Sequence, residues 1–251
     1  MLGLAFQRMN HRFTSALSLS IATLMKGPAV FLLIYFVVFR RDARYLTYFL
    51  VSTLALAGVS LPVVPLDLYW YYLVKVLPSM AIARTQGRFG VAGAQSILKF
   101  VSMAGLTWLT PIISIAGFML FAVFSFWAGS RTLQSVGGRP IFDDSMFLMN
   151  VLVTLQLIPR TEVYSYVWII LPLALCLSGL LLERVNGWYV GVFGVATFLF
   201  NSVYGLRLYG PGSPPILIGP FEIMGNLILT LALAAIYLRP ALAFKRSGSA
   251  G

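Results

Sequence analysis

The chain has 251 residues, of which 59% are hydrophobic and only 10% are charged. A soluble domain carries roughly 25% charged residues, so this composition excludes an ordinary soluble fold and predicts a polytopic membrane protein. The formal net charge of +11 is spread between apolar runs, without a basic stripe or a nucleic-acid recognition motif. We therefore expect membrane lipids and phosphate groups as partners, and no nucleic acid.

Apolar runs of about 20 residues, separated by charges or by Gly and Pro, predict helices along the whole chain. The runs cover residues 14–39, 45–64, 101–128, 145–158, 163–182, 188–206 and 216–238, with a loop predicted over 129–144. We find no internal repeat and no linker that divides the chain. The sequence thus predicts an all-α fold, in which residues 1–251 form a single polytopic transmembrane helix bundle. It also predicts a short re-entrant-type helical hairpin and an interfacial helix.

The hairpin is predicted from a lysine inside the first apolar run. Lys26-Gly27-Pro28 interrupts this run, and proline breaks or kinks a helix. Basic residues mark the cytoplasmic side of a membrane, and both ends of the run are basic, with Arg12 before it and Arg40 after it. A single straight crossing is therefore excluded, and we predict two short helical arms with their apex at Lys26. An ionisable residue within the membrane is a functional-site hypothesis; the alternative is a lysine that snorkels or pairs structurally.

The remaining charges set the predicted topology. Residues 67–100 and Arg160 fall outside, whereas Arg131, Arg184 and the basic C-terminal tail fall inside. This arrangement places more basic residues inside than outside, as the positive-inside rule requires. We predict a multi-pass protein of the plasma or inner membrane with a cytoplasmic C-terminus.

Four cations on the outer side are candidate phosphate ligands: Lys26, Arg84, Arg88 and Arg160. Guanidinium and ammonium groups both bind phosphate through charge-assisted hydrogen bonds. Arg84 and Arg88 lie in a glycine-rich stretch, residues 83–100, which we expect either to order on ligand binding or to form a solvated connection.

Residues 66–80 (LDLYWYYLVKVLPSM) predict an interfacial or re-entrant helix, because tyrosine and tryptophan favour the membrane–water interface. Within and beyond this stretch we identify a candidate wall for a lipid or a sugar, formed by Tyr69, Trp70, Tyr72, Gln95 and Tyr166. The alternative is an aromatic belt without a ligand.

Two carboxylates on the outer side, Asp67 and Glu162, are candidate general bases. The structural alternatives are a helix cap for Asp67 and an ion pair with Arg160 for Glu162. Asp143 and Asp144 fall inside, where we expect them to cap a helix that starts near Ser145.

The sequence requires no metal and no cofactor. It contains a single histidine, His11, and a single cysteine, Cys176, which are too few ligands for a typical protein metal site.

Three segments resemble the GT-C class of polyprenyl-phosphate-sugar-dependent glycosyltransferases, and within it glycosyltransferase family 87, the mannosyltransferase-like integral membrane proteins. They are residues 19–41 (LSIATLMKGPAVFLLIYFVVFRR), 94–98 (AQSIL) and 154–175 (TLQLIPRTEVYSYVWIILPLAL). The resemblance covers most of residues 14–185. It implies transfer of a mannose-like hexose from a polyprenyl phosphate, the donor substrate, to an extracytoplasmic acceptor.

The chain departs from that family in two respects. Ser165 and Tyr166 stand where the family carries a histidine. Family members are also longer and carry their catalytic acid in an outer loop near the N-terminus. We therefore expect this chain to lack an N-terminal helical region with the catalytic loop, which a partner subunit would then supply.

Two other functions are compatible with the same residues. The first alternative is a non-catalytic or split subunit of a larger membrane complex. The second is a transporter or flippase for a lipid-linked or anionic solute, although the chain lacks the inverted repeats that such proteins often show.

Overall fold

The computed structural model describes residues 6–7, 9–62, 64–71, 74–75, 96–98, 101, 105–135, 140–158, 167–182, 187–196 and 218–238. Within these ranges the regular elements are all helices and none is a strand, which confirms the all-α prediction. The chain forms two compact units, Met1–Arg88 and Phe89–Gly251.

Among its described residues, the first unit shows three α-helices with both ends defined: α1 (Arg12–Lys26), α2 (Ala43–Ser60) and the short α3 (Leu66–Tyr71). Helix α1 ends at Lys26, at the predicted break, and Pro28 follows two residues later. A 3₁₀ helix (Gly27–Leu32) and a π-helix (Ile34–Phe39) then connect α1 to α2.

Helices α1 and α2 lie side by side in the same direction. The hydroxyls of Ser15 and Tyr45 are 3.0 Å apart, and the Ser20 hydroxyl donates to the Phe49 carbonyl at 3.1 Å. Because the partners advance together along both helices, the pair is parallel. The segment 27–39 must therefore return along the unit, from the end of α1 to the start of α2.

The two ends of this returning run meet at an ion pair. Arg12 Nε, at the start of α1, lies 3.4 Å from Asp42 Oδ2, at the N-cap of α2. The returning segment is held by its aromatic residues: Phe36 stacks on Tyr45 with 4.2 Å between ring centres, and Tyr35 is fully buried. The first apolar run thus folds back on itself, as a hairpin requires.

The second unit contains five described α-helices: α4 (Thr110–Ser135), α5 (Pro140–Leu157), α6 (Val167–Leu182), α7 (Gly187–Ala196) and α8 (Ile218–Leu238). A 3₁₀ turn, Thr107–Leu109, precedes α4. These helices lie on predicted apolar runs.

The predicted loop over 129–144 is wrong for most of its length. Helix α4 continues to Ser135, and α5 already begins at Pro140, because proline fits the first turn of a helix. Asp143 therefore lies in the first turn of α5 and does not cap a helix near Ser145. A carboxylate in the first turn still stabilises the helix through the helix dipole.

Helix α5 forms the core of the second unit, with α4, α6 and α8 packed against it. Polar side chains of two neighbouring helices donate to its main-chain carbonyls. The Ser114 hydroxyl of α4 donates to Leu157 at 2.8 Å, and on α8 the Asn226 amide donates to Leu152 at 3.4 Å and the Tyr237 hydroxyl to Phe142. Such hydrogen bonds between helices replace the hydrophobic driving force that is absent between helices in lipid.

Two glycines allow close approach to α5. A Cβ atom on Gly179 of α6 would lie 2.9 Å from the Cδ1 atom of Ile141, and one on Gly117 of α4 would lie 2.6 Å from the Cδ1 atom of Leu157. Small residues at such contacts bring helix backbones together in membrane proteins.

We predict that Gly179→Leu destabilises the second unit by about 1–3 kcal/mol through overpacking against Ile141. The measurement is thermal unfolding of the purified protein in detergent. Gly191→Leu is the matched control, because Gly191 lies within α7 and nothing lies within 4 Å of its Cβ position. Equal melting temperatures for the two variants would contradict the close approach of α6 to α5.

Candidate functional site

The outer faces of α1 and α2 carry large apolar side chains, whereas the contact between the two helices includes hydroxyl groups. Large apolar side chains of both helices are exposed, among them Met25 (81%) and Leu54 (70%). Between the helices, the Thr53 hydroxyl donates to Ser20 Oγ at 3.0 Å, and the hydroxyls of Ser15 and Tyr45 are 3.0 Å apart. Polar contacts between the helices and apolar side chains on the outside are typical of helices in lipid.

The alignment of α1 with α2 places Lys26. Hydrogen bonds between the two helices join residues 29, 30 and 33 positions apart, so the main chain of Lys26 lies level with about residues 55–59 of α2. Helix α2 ends one residue later, at Ser60. Lys26 and the arginine-rich turn at residues 40–44 therefore lie at opposite ends of the unit.

Helix α3 lies at the same end of the unit as Lys26. It begins six residues after α2 ends, and the Tyr69 hydroxyl is hydrogen-bonded to the Ser60 hydroxyl. Asp67, in the first turn of α3, is exposed. The structure thus brings a lysine, a carboxylate and a tyrosine from the predicted site to one end of the first unit.

The aromatic surface predicted over residues 66–80 is partly described. No residue of α3 is buried, and Trp70 is 70% exposed. The predicted helix extends to residue 80, whereas the α-helix described ends at Tyr71. An exposed amphipathic ring beside an apolar helix pair is suited to the boundary between hydrocarbon and water.

The other predicted site residues lie outside the described residues. These are Tyr72, Arg84, Arg88, Gln95, Arg160, Glu162 and Tyr166. Their roles stay predictions, as does the convergence of the four cations.

In the second unit, residues Thr107–Arg131 form a helical stretch that is long and apolar enough to cross a membrane. Only 17% of its most apolar 18-residue window is buried, so most side chains of this window are exposed or half-buried. Trp108 and Trp127 lie 19 residues apart, or about 28 Å along a helix, which is close to the ~30 Å of a hydrocarbon core. Arg131 lies over the Trp127 ring at 4.6 Å from its centre.

The sequence analysis missed the role of Gln156. Its side-chain oxygen accepts a hydrogen bond from the Ile97 main-chain N–H at 3.0 Å, which fastens the described residues 96–98 to the end of α5. Asn150 and Thr154, also on α5, are buried and 3.3 Å apart. The sequence did contain a signal for these contacts: Asn150, Thr154 and Gln156 are polar residues within one apolar run, and buried polar groups require hydrogen-bond partners.

Among the described residues, no group of three His, Cys, Asp or Glu side chains is placed to hold a metal ion. Comparisons of the chain with protein-family models, curated proteins and solved structures found no match.

We predict that Ser20→Ala lowers the free energy of unfolding by about 0.5–1.5 kcal/mol, since it removes the hydrogen bonds from α1 to Phe49 and Thr53. The measurement is a denaturant titration in detergent. Ser18→Ala is the matched control, because the Ser18 hydroxyl donates to Thr14 within its own helix. A larger loss for Ser18→Ala than for Ser20→Ala would contradict the hydroxyl contact between α1 and α2.

Proposed function

We propose that this protein is a multi-pass membrane glycosyltransferase that transfers a mannose-like hexose from a polyprenyl phosphate to an extracytoplasmic acceptor. The single observation that carries the proposal is the position of Lys26. This lysine ends α1 in the middle of an apolar run, at the same end of the unit as Asp67 and Tyr69. The resemblance to glycosyltransferase family 87 points to the same lysine.

Membrane insertion is supported by two features. Thr107–Arg131 has the length and composition of a membrane span, with tryptophans about one hydrocarbon thickness apart. The pair of α1 and α2 is apolar outside and hydroxyl-rich inside. In this arrangement the run 14–39 is a re-entrant hairpin, α3 is interfacial and the C-terminus is cytoplasmic.

The proposed chemistry follows from the donor. When the bond between the sugar C1 atom and the phosphate oxygen breaks, negative charge develops on the phosphate. A cation held in a low-dielectric site stabilises this charge in the transition state. In this proposal Lys26 takes this role, and Arg84, Arg88 and Arg160 stay sequence-based candidates for binding the same phosphate.

The acceptor hydroxyl forms the new bond to C1 and loses its proton to a carboxylate. Asp67 is the described candidate for this base, and Glu162 is the second. In this proposal Tyr69 and Trp70 of α3 contact the lipid or the sugar near Asp67. Tyr72, Gln95 and Tyr166 stay sequence-based candidates for such contacts. No metal or cofactor is required for this chemistry.

We predict that Lys26→Ala lowers the rate of sugar transfer by roughly 10²–10³-fold, the size expected when one group that stabilises the transition-state charge is lost. The assay uses the full chain in liposomes with radiolabelled polyprenyl-phosphate-mannose or polyprenyl-phosphate-glucose and a mixture of sugar and lipid acceptors. Lys26→Arg keeps the charge and is expected to retain part of the rate.

Lys75→Ala is the matched control for this experiment, because Lys75 is exposed and follows α3 in the same unit. Its rate is expected to equal that of the wild type. A folded, monodisperse wild-type protein that transfers neither sugar contradicts the transferase and favours the non-catalytic subunit. In that case co-purification identifies the partner that supplies the catalytic loop.

A further inference from the structure

A cleft of about 540 Å³ lies at the arginine-rich end of the first unit, opposite Lys26. It is lined by Asn10, His11, Arg12, Phe13, Thr14 and Tyr48. The lining thus combines the start of α1 with one residue of α2. Asn10 adopts a left-handed backbone conformation, with φ of 61°, which asparagine tolerates better than most residues.

The surroundings of this cleft are strongly basic. Arg12 lines it, and Arg44 lies one helical turn before Tyr48, on the same face of α2. Arg40 and Arg41 precede Asp42, whose carboxylate is paired with Arg12. Residues 9–14 and 40–48 therefore contain four arginines against one aspartate, a net charge of +3.

The cleft also has an apolar edge. Phe13 is 52% exposed and meets Tyr48 edge to face, with 6.1 Å between ring centres. Tyr48 presents a hydroxyl and a ring, so it suits a ligand that is charged at one end and apolar at the other. The headgroup region of a bilayer favours surfaces that combine cations with exposed aromatic rings. This cleft has both, and it lies at the end of an apolar helix pair.

We propose that this cleft binds the headgroup phosphate of an anionic phospholipid in the cytoplasmic leaflet. Arg12 and Arg44 contact the phosphate, the Tyr48 hydroxyl donates to it, and Phe13 packs against the acyl chains. The inference rests on the membrane insertion in the proposed function, but not on sugar transfer. A bound phospholipid would fix the depth at which the returning segment enters the membrane.

The test is native mass spectrometry of the full chain in detergent, titrated with phosphatidylglycerol or with phosphatidylcholine of the same acyl chains. The wild type is expected to bind phosphatidylglycerol roughly tenfold more tightly, the size of one charge-assisted hydrogen bond. Arg12→Gln and Arg44→Gln are each expected to remove this preference. Arg131→Gln, an exposed arginine at the end of α4, is the matched control and is expected to keep it.

Asp42→Asn separates binding from folding. It breaks the same ion pair as Arg12→Gln, but it keeps Arg12 and raises the net charge by one. Phosphatidylglycerol is therefore expected to bind as tightly as to the wild type, or more tightly. If Asp42→Asn loses the lipid preference as Arg12→Gln does, the ion pair is structural and the inference is overturned. It is also overturned if inorganic phosphate displaces phosphatidylglycerol at equal concentration, which would assign the cleft to a free anion.

Extraction of cell membranes with alkaline carbonate separates this inference from the proposed function. Release of the protein by carbonate overturns membrane insertion, and both proposals with it. Retention without a preference for phosphatidylglycerol overturns the lipid site alone.

Discussion

The hydroxyl contacts that align α1 with α2 determine where the candidate residues of the first unit lie. Ser15 meets Tyr45 and Ser20 meets Phe49, so the two helices start together and run together. Two parallel helices that follow one another in sequence need a connection of comparable length in the opposite direction. The segment 27–39 provides that connection, and the ends of the run then close through Arg12 and Asp42. One consequence is a unit with two chemically different ends.

In the second unit, the main-chain carbonyls of α5 take the place of such hydroxyl pairs. Helix carbonyls have a second lone pair, so a serine, an asparagine or a tyrosine on a neighbouring helix can bond to them without breaking the helix. Ser114, Asn226 and Tyr237 do so at three levels of α5. These bonds are directional, whereas packing of apolar side chains against lipid is not, and they fix the positions of the neighbouring helices along α5.

The sequence predicted elements better than contacts, for physical reasons. Apolar runs and the Lys26-Gly27-Pro28 interruption report local helix formation, and every described α-helix except α3 overlaps one of those runs. The predicted topology runs α1 and α2 in the same direction, but their side-by-side contact was not foreseen, because a serine in an apolar run bonds equally well within its own helix, as Ser18 does. The start of α5 at Pro140 was missed because two aspartates suggested a cap, although carboxylates also favour a first turn.

The hydrogen bond from Ile97 to Gln156 joins residues 59 positions apart, a separation at which local sequence patterns carry no information. Of the candidate site, the sequence predicted Lys26 and Asp67 on the same side, and the alignment of α1 with α2 places both at one end of the first unit.

Two tryptophans also set a length: Trp108 lies in the 3₁₀ turn before α4, and Trp127 lies within α4. Trp108 and Trp127 lie about 28 Å apart along the helix axis, and each ring is most stable at the level of the lipid headgroups. A bilayer with a thinner hydrocarbon layer is accommodated when α4 tilts. A thicker one either compresses around the protein or draws a tryptophan into the hydrocarbon, at a cost of a fraction of a kcal/mol for each ångström of mismatch. In the proposed membrane arrangement this spacing favours thinner membranes, so a single helix would influence how the protein partitions between membranes of different thickness.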